Sequence, residues 1–259
     1  MKKKVLLVLV DGMRPESMAM TEHPFYQELV AHSYYTLKEQ AVMPSVTLPC
    51  HMSLFHSVNA DRHGILSNTY VPQVRPVNGI CEVLKQQGKA SGLFFSWEEL
   101  RDLSRPGSVA ISEFFSGGVH TYEKANEVLT DRVIGLVKSG ELPDFSFLYL
   151  GLVDMAGHKY GWMGKEYIEA VRSSIECIRR VAEILPEDHQ LVVTADHGGH
   201  DRSHGADIPE DMVIPLFFWH KSFASKEFDG DVSIIDIAPT IVSMLGAESD
   251  PDWEGKVLL

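Results

Sequence analysis

The amino-acid sequence predicts an α/β fold, a doubly wound, mostly parallel sheet with helices on both faces. The first observation is a series of short apolar runs, such as 5–10, that have no polar alternation. Such runs are typical of strands buried on both faces of a parallel sheet. The second observation is that helix-like stretches separate the runs, and parallel strands need crossover helices. A closed barrel is the weaker alternative.

The predicted elements follow one another along the whole chain. The strands are the apolar runs 5–10, 92–95, 145–153, 191–194 and 214–219. Helices are predicted over 77–87, 122–138 and 165–185, and they stop before Gly88, Gly140 and Pro186, residue types that end helices. Apolar residues at helical spacing over 234–245 predict a final helix that packs on the sheet.

Length and charge limit the organisation and the partners. A chain of 259 residues with 44% apolar residues can bury one sizeable core, so we expect a single domain over 1–259. The least regular region, 96–119, is expected to be a loop or a small insertion over the site. The formal net charge of −13 would repel a phosphate backbone, and the sequence has no basic cluster beyond 2–4. A nucleic-acid polymer is therefore not expected as a partner.

The sequence predicts a soluble protein in a reducing, cytoplasmic setting, with no membrane as partner. Asp11 interrupts the apolar run 5–10 before a signal-peptide core or a membrane span is complete. The three cysteines, Cys50, Cys81 and Cys177, are widely spaced and odd in number. They indicate neither a disulfide framework nor a cysteine zinc site.

Three of the predicted strands carry an aspartate at or beyond their carboxyl ends. Asp11 follows the run 5–10, Asp154 follows 145–153, and Asp196 comes two residues after 191–194. In open α/β sheets this edge is where ligands bind. Three carboxylates brought together there would resist ionisation unless a cation lay among them.

Histidines lie close to two of these carboxylates. His158 comes four residues after Asp154, His197 directly follows Asp196, and His204 begins a His-Gly pair. Carboxylate and imidazole ligands without thiolate suit zinc, manganese or iron, with zinc favoured where histidine is abundant. A lone aspartate at a strand end is usually a cap, and a lone histidine is usually structural. Their joint occurrence at strand ends favours a metal centre.

The segment 44–54 contains the candidate nucleophile. Apolar spacing over 52–58 predicts a helix that starts near Thr47. Free backbone amides and the positive end of the helix dipole would stabilise a phosphate there, so the Thr47 hydroxyl is well placed for attack. Thr47 or Ser45 could instead be a simple N-cap, and the metal-ligand pattern is what favours the nucleophile.

These motifs together resemble a known family. They are D-G at 11–12, P-S-V-T-L-P-C-H-M-S at 44–53, H-G-I-L-S-N at 63–68, D-x-x-G-H at 154–158, A-D-H-G-G at 195–199 and H-G at 204–205. In this order the set resembles the nucleotide pyrophosphatase/phosphodiesterase branch of the alkaline phosphatase superfamily. The segment D-I-A-P-T-I-V-S-M-L-G at 236–246 also looks like the C-terminal helix of that superfamily.

The resemblance implies an alkaline phosphatase-like catalytic domain that holds two divalent metal ions, zinc in the first place and manganese as the alternative. One ion would be held by Asp154, His158 and His204. The other would be held by Asp11, Asp196, His197 and the oxygen of Thr47.

The resemblance also implies a reaction. The enzyme would hydrolyse a phosphodiester or pyrophosphate bond of a small substrate, with a nucleotide as one candidate. Thr47 would attack phosphorus and carry a phosphothreonine intermediate, and Asn68 would help to bind a phosphoryl oxygen. Sulfatase chemistry is disfavoured, because the sequence has Cys50-His51-Met52 in place of the sulfatase motif C-x-P-x-R.

Two other functions stay open on the sequence. The same two-metal core serves phosphomonoesterases and phosphomutase-like enzymes. A basic residue at the site, such as Arg14, Arg62 or Arg101, would favour the doubly charged monoester, whereas an apolar slot would favour diesters or nucleotides. A catalytically silent metal- or nucleotide-binding protein is the alternative from a different class, and the intact Thr47 argues against it.

Several further residues near the motifs have ambiguous roles: His51, His56, His63, His200 and Cys50. His63, in H-G-I, is expected to shape the turn that positions Asn68. His200 could orient a ligand or contact substrate, although an ordinary surface role is favoured. Cys50 has no base assigned to it and is expected to pack in the core.

Overall fold

A computed structural model describes residues 3–259 as a sheet flanked by helices. The sheet has eight strands, in the order β4-β3-β5-β1-β6-β7-β2-β8. Their bounds are β1 Lys4–Val10, β2 Ser33–Gln40, β3 Ser91–Phe95, β4 Ile111–Phe114, β5 Phe145–Leu150, β6 His189–Thr194, β7 Val213–Trp219 and β8 Lys226–Glu227. Strand β1 therefore lies in the middle, where both of its edges are paired.

The sheet is mostly parallel, as the sequence predicted. Strand β1 pairs in parallel with β5 and with β6, whereas β7 runs antiparallel to both β6 and β2. The register places Val10 opposite Leu150 and Leu9 opposite Thr194. The carboxyl ends of β5, β1 and β6 therefore lie side by side at one edge.

Eleven α-helices are found in the described part of the chain. They are α1 Pro15–Met20, α2 Pro24–Ala31, α3 Thr47–His56, α4 Ala60–His63, α5 Ile80–Gln86, α6 Gly117–His120, α7 Tyr122–Ser139, α8 Leu152–Tyr160, α9 Lys165–Ala182, α10 Pro209–Met212 and α11 Ile237–Met244. Two 3-10 helices lie at Glu98–Leu103 and Ile234–Asp236. The predicted helices over 77–87, 122–138, 165–185 and 234–245 correspond to α5, α7, α9 and α11.

Most of the helices fall into two groups, and within each group the helices contact one another. One contains α1, α2, α6, α7, α8 and α9, and the other contains α3, α4, α5 and α11. The central strand explains this arrangement, because every side chain of 5–10 is fully buried and both faces need cover. On the second face, the ring of Phe55 from α3 packs against Phe147 of β5 at a centroid distance of 5.1 Å.

Two segments differ from the predicted elements. Strand β5 ends at Leu150 rather than at 153, and α8 begins at Leu152, so Asp154 lies in the first turn of a helix. Apolar residues continue through this change, which is why periodicity did not mark it. The segment 96–119, expected to be a loop or a small insertion over the site, is not a plain loop, because it contains a 3-10 helix, the edge strand β4 and the start of α6. A small insertion there stays a prediction. A single domain over 1–259 stays a prediction.

Among residues 3–259, no helix combines the length and the apolar character needed to cross a membrane. Cys50, Cys81 and Cys177 are buried and unpaired. Burial raises the pKa of the Cys50 thiol well above its ordinary value, and the thiol lies against the carbonyl oxygens of Val42 and Pro44. Cys50 thus packs as a neutral thiol, and the reducing, cytoplasmic setting stays a prediction.

Candidate active site

Three carboxylates meet at the carboxyl edge of the sheet. Asp11 follows β1, Asp196 lies two residues beyond β6, and Asp154 occupies the first turn of α8 behind β5. Because β1 lies between β5 and β6 in parallel register, the chain delivers the three side chains to one place. Asp11 and Asp196 are buried.

The candidate ligands form two clusters, within each of which the ligand atoms lie no more than 4.8 Å apart. The members are Asp154, His158 and His204 in one cluster and Asp11, Asp196 and His197 in the other. In the second cluster, His197 Nε2 lies 3.2 Å from Asp196 Oδ2 and 3.4 Å from Asp11 Oδ1. The structure therefore groups the six residues in the way that the resemblance implied.

The backbone fixes which nitrogen of each histidine faces its cluster. The Nδ1–H groups donate to the carbonyl oxygens of Gly198 (from His197, 2.8 Å), Arg202 (from His158, 3.0 Å) and Ser45 (from His204, 2.9 Å). In the neutral form of each ring Nε2 carries no proton, and it is directed at a carboxylate. A histidine that donates one nitrogen to the protein and offers the other is the usual arrangement of a metal ligand.

The electrostatics of the clusters also fit cations. Asp11 Oδ1, Asp154 Oδ1 and Asp196 Oδ2 are buried and have no hydrogen-bond partner in the described structure. Burial, followed by repulsion from Asp196 and Asp154, raises the pKa of Asp11 well above its ordinary value. Burial lowers the pKa of His204 to about 4, so its ring is neutral at pH 7. Cations would compensate these carboxylates and take the neutral imidazole nitrogens.

Thr47 lies beside the second cluster at the start of α3. Its Oγ1 is 3.2 Å from His197 Nε2, and the side chain is buried. The N-cap of α3 is Val46, and no side chain caps the helix. The hydroxyl of Ser45 donates to the carbonyl oxygen of Ala206 instead. Neither Thr47 nor Ser45 is thus a helix cap in this structure.

Asn68 is tied to the residue after the candidate nucleophile. The backbone N–H of Leu48 donates to Asn68 Oδ1 at 3.0 Å. This bond uses the amide oxygen, and the NH2 group of Asn68 stays available as a donor. The preceding turn is held by His63, which accepts a hydrogen bond from the Ile65 N–H and lies 3.1 Å from Ser53 Oγ.

A small cavity, of about 110 Å³, lies over the two clusters. It is lined by Asp11, Thr47, Asn68, Trp97, Tyr122, Tyr149, Gly151, Asp154, Met155, His158 and His204. Three of these residues are aromatic, and within 3–259 no lysine or arginine lines the cavity. The wall is therefore uncharged wherever it is not a candidate metal ligand.

The arginines that sequence reasoning considered lie elsewhere. Arg14 pairs with Glu16, Arg62 lies 3.6 Å from Asp252, and Arg101 pairs with Glu98. Each guanidinium thus has a carboxylate partner outside the cavity, and no basic group among these three faces a phosphate there.

Two residues support the clusters directly: Tyr149, which sequence reasoning missed, and His51, whose role it left ambiguous. The hydroxyl of Tyr149 donates to Asp11 Oδ2. Burial, with the nearby Asp11 charge, raises the pKa of Tyr149 well above its ordinary value, so the phenol keeps its proton. His51 donates from Nδ1 to the Thr47 carbonyl oxygen at 2.8 Å, and the same nitrogen is 3.5 Å from Asp196 Oδ2. No motif spacing marks either contact.

Trp162 joins three of the motifs and was also missed. Its Nε1–H donates to the carbonyl oxygen of Gly12 at 2.9 Å. Its ring lies so close to Gly157 and Gly199 that a Cβ on either glycine would come within 2.6 Å and 2.2 Å of it. The glycines of D-x-x-G-H and D-H-G-G are therefore the sequence signal of a bulky partner, although they do not say which residue it is.

The loop that carries His197 and His204 is held by a buried aspartate. The carbonyl oxygen of Asp211 accepts the N–H of Gly198, and its Oδ2 accepts the N–H of Ala206, both at 2.8 Å. Asp211 Oδ1 accepts Nδ1–H of His200 at 2.7 Å. His200 does not line the cavity and contributes to the loop instead.

Comparison with known proteins agrees with this architecture. The sequence model of the type I phosphodiesterase / nucleotide pyrophosphatase family matches residues 5–222. The family match, together with the fold, defines the class of protein as the alkaline phosphatase superfamily. Within that superfamily, the chain belongs to the type I phosphodiesterase / nucleotide pyrophosphatase family.

Solved structures share the fold at low sequence identity. A murine ectonucleotide pyrophosphatase / phosphodiesterase 5, an inactive variant in complex with AMP, superposes with a TM-score of 0.81 at 14% identity, covering 96% of both chains. A phosphonate monoester hydrolase from Silicibacter pomeroyi gives a TM-score of 0.75 at 16% identity, covering 99% of this chain and 76% of that one. These similarities confirm the alkaline phosphatase-like fold.

Curated relatives include 2,3-bisphosphoglycerate-independent phosphoglycerate mutases. The Aeromonas salmonicida protein is 26% identical over 216 residues, which is 73% of this chain and 40% of that protein. The Legionella pneumophila protein is 26% identical over 247 residues, 82% of this chain and 44% of that protein. The chain thus spans less than half the length of these relatives.

Proposed function

We propose that this protein hydrolyses a phosphodiester or pyrophosphate bond of a small substrate, with Thr47 as nucleophile. The observation that carries the proposal is the position of Thr47 Oγ1, 3.2 Å from His197 Nε2 in a cavity bordered by both clusters. A binding protein would not need a hydroxyl at that position. A silent metal- or nucleotide-binding role is for this reason the weaker proposal.

Two divalent cations, zinc in the first place and manganese as the alternative, would supply Lewis-acid stabilisation of the attacking and leaving oxygens. The residues proposed to hold them are Asp154, His158 and His204 for one, and Asp11, Asp196, His197 and Thr47 for the other. The donor set, carboxylate oxygen and imidazole nitrogen without thiolate, suits either metal.

The chain's own residues would then carry the reaction in two displacements. Thr47 Oγ gives its proton to water and forms a bond to phosphorus, while the bond to the leaving oxygen breaks and that oxygen takes a proton from water. A water molecule next displaces Thr47 from phosphorus, which restores the hydroxyl and releases the phosphoryl product. The NH2 group of Asn68 would donate to a non-bridging oxygen, and the amino end of α3 would stabilise the negative charge.

The cavity wall favours a diester over a monoester. A phosphomonoester carries two negative charges at neutral pH and is usually met by a lysine or arginine, whereas the cavity presents Trp97, Tyr122 and Tyr149. The AMP complex of the murine structural neighbour supports a nucleotide as one candidate substrate. The similarity to phosphoglycerate mutases keeps phosphoryl transfer to a second hydroxyl as the other candidate.

Thr47→Ala tests the proposal. With zinc-reconstituted enzyme, we expect hydrolysis of bis-p-nitrophenyl phosphate to exceed that of p-nitrophenyl phosphate. Thr47→Ala should lower kcat on the diester by about 10³-fold or more, because the covalent route is lost. Thr47→Ser, which keeps a hydroxyl, should retain far more activity. Preference for the monoester would assign a phosphomonoesterase, and activity independent of Thr47 would overturn the mechanism.

A further inference from the structure

A buried carboxylate outside both metal clusters holds the loop 197–206. Asp211, in α10, is fully buried and belongs to neither cluster. Its Oδ2 accepts the N–H of Ala206 at 2.8 Å, and its Oδ1 accepts Nδ1–H of His200 at 2.7 Å. The proposed reaction assigns no step to Asp211 or His200. Because a buried charge is costly, such a group calls for a role that the reaction does not supply.

Asp211 bonds the loop beside each of the two histidines that the loop supplies as candidate ligands. The Asp211 carbonyl oxygen accepts the N–H of Gly198, the residue after His197, at 2.8 Å. The Asp211 carboxylate accepts the N–H of Ala206, two residues after His204. His197 and His204 belong to different clusters, and their rings stack at a centroid distance of 3.8 Å. One residue outside the clusters therefore holds a ligand of each.

The loop has no regular secondary structure that could fix it instead. No helix or strand of the described chain lies between the end of β6 at Thr194 and the start of α10 at Pro209. A segment without a helix or strand keeps its course only through contacts with its surroundings. Loss of the Asp211 bonds would therefore loosen the backbone beside both ligands, whereas the pairing of β6 with β7 does not depend on them.

His200 holds the carboxylate of Asp211 from the solvent side. Its side chain is 36% exposed and does not line the catalytic cavity. Its backbone N–H and C=O pair with those of Ser203 at 2.9 Å, so His200 lies in a tight turn in the middle of the loop. The hydrogen bond to Asp211, with attraction from Asp201 and Glu210, raises the pKa of His200 above its ordinary value. The imidazolium form thus balances the buried carboxylate.

We propose that Asp211 and His200 are a pair of positioning residues that hold His197 and His204 at a fixed separation and so couple the two metal sites. Asp211 bonds the loop beside both ligands, and His200 fixes the Asp211 carboxylate. Neither residue lines the catalytic cavity or belongs to a cluster. This inference rests on the proposed function, because it takes the two clusters as the metal sites of the enzyme. Loss of the pair therefore weakens both sites together.

Zinc affinity tests the coupling. Asp211→Ala removes the carboxylate, and competition with a chromogenic chelator should show that both zinc sites weaken by about 10- to 100-fold. Asp211→Asn keeps an oxygen for the Ala206 N–H and an amide group opposite His200, so it should restore much of the affinity. A weakening confined to one site, or wild-type affinity at both sites in Asp211→Ala, would contradict the proposal.

His200→Gln keeps the proposal testable if Asp211→Ala does not fold. Glutamine can donate to Asp211 without the charge, so both zinc sites should weaken by about three- to tenfold. With saturating zinc, kcat on bis-p-nitrophenyl phosphate should fall while KM stays unchanged, since no substrate contact is altered. His189→Gln is the matched control, because His189 donates to Asp188 at 2.8 Å at the amino end of β6, whereas the clusters lie beyond its carboxyl end. Equal effects in the two histidine variants would contradict the proposal.

Hydrogen exchange of the metal-free protein separates positioning from general stability. Peptides that cover 195–208 should exchange about tenfold faster in His200→Gln than in the wild type, while peptides from β1 and α9 stay unchanged. Faster exchange throughout the protein would show that the pair only stabilises the fold, and unchanged exchange in the loop would show that it does not hold the loop. Either result would overturn the positioning role.

Thr47-dependent hydrolysis separates this inference from the proposed function. If wild-type hydrolysis depends on Thr47 but the variants of the pair bind zinc and exchange like the wild type, the positioning role is wrong and the proposed function stands. If both zinc sites weaken in the variants and the wild-type protein shows no Thr47-dependent hydrolysis, the proposed function is wrong and the positioning role stands.

Discussion

His158, His197 and His204 each donate from Nδ1 to a backbone carbonyl, so the orientation of each ring is set before any ligand binds. Tyr149 acts on the carboxylate side in the same manner, because its hydroxyl occupies Asp11 Oδ2 and leaves Oδ1 directed at His197. At the scale of single residues, the site thus depends on hydrogen bonds that occupy one polar atom of each side chain and leave the other atom directed into its cluster. Two of the partner residues, Ser45 and Gly198, belong to the motifs, whereas Arg202 and Tyr149 lie outside them.

Replacing Tyr149 tests this selection. Tyr149→Phe removes the only donor that the structure gives to Asp11 Oδ2 within residues 3–259, and the ring stays in place. We expect zinc affinity, measured by competition with a chromogenic chelator, to fall by about 10- to 100-fold, and kcat/KM on bis-p-nitrophenyl phosphate to fall with it. Tyr26→Phe, on α2, is the control. Equal zinc affinity in both variants would contradict the role of the hydroxyl.

At the scale of elements, Trp162 connects the loop after β1, helix α8 and the loop after β6. It lies just after α8, donates to the Gly12 carbonyl, and packs on Gly157 and Gly199. The hydroxyl of Tyr167, from the first turn of α9, donates to the same carbonyl oxygen at 2.9 Å. The relative placement of three motif-bearing segments therefore depends on one indole ring and on two glycines that leave room for it.

Gly199→Ala tests this connection. The added Cβ would lie 2.2 Å from the Trp162 ring, so the indole must move away and the loop that carries His197 must move with it. We expect a loss of about 2 kcal/mol or more in the free energy of unfolding, and a loss of activity.

The matched control is Gly135→Ala on the exposed side of α7, where an added Cβ meets nothing within 4 Å. Alanine there should stabilise the protein by about 0.5–1 kcal/mol through its helix propensity. Urea unfolding measures both changes. A Gly199→Ala protein as stable as the wild type would show that Trp162 does not fix the loop.

At the scale of the whole molecule, buried neutral histidines make stability depend on pH. Burial lowers the pKa of His63 from 6.5 to about 4. Burial also lowers the pKa of His56, whose Nδ1–H donates to the Met52 carbonyl. The unfolded chain binds these protons more readily, so the stabilisation is complete above pH 6.5 and is lost as the pH falls toward 4.

For His63 the shift corresponds to about 3 kcal/mol. Urea unfolding of the protein at pH 7 and at pH 4.5 should therefore show lower stability at the acidic pH. His63→Asn, which retains an acceptor for the Ile65 N–H, should flatten this dependence, whereas His120→Asn on the exposed α6 should not. An identical pH dependence in wild type and His63→Asn would refute the assignment.

The sequence predicted the elements whose signal is local. Continuous apolar runs marked β1, β3, β6 and β7. Apolar spacing over 52–58 predicted a helix that starts near Thr47, and α3 begins at that residue. The order of the motifs predicted the family, which the family match confirms. The roles of the site residues stay proposals. The two clusters could be anticipated because parallel neighbouring strands end at one edge, and a resemblance in motif order supplied the grouping.

Other features were decided only by tertiary structure. Strand β2, with its mixed polar sequence, was not predicted, since it is only partly buried and pairs with β7 from far along the chain. The composition of β7 did not indicate that it runs antiparallel, because a buried strand is apolar whether it pairs in parallel or antiparallel. The sequence likewise did not identify Trp162 as the side chain that packs on Gly157 and Gly199, or Tyr149 as the donor to Asp11. A glycine in the sequence indicates that space is available, and an aspartate indicates that a hydrogen-bond acceptor is available. The distant side chain that occupies the space or donates to the acceptor is determined by the packing of the whole fold.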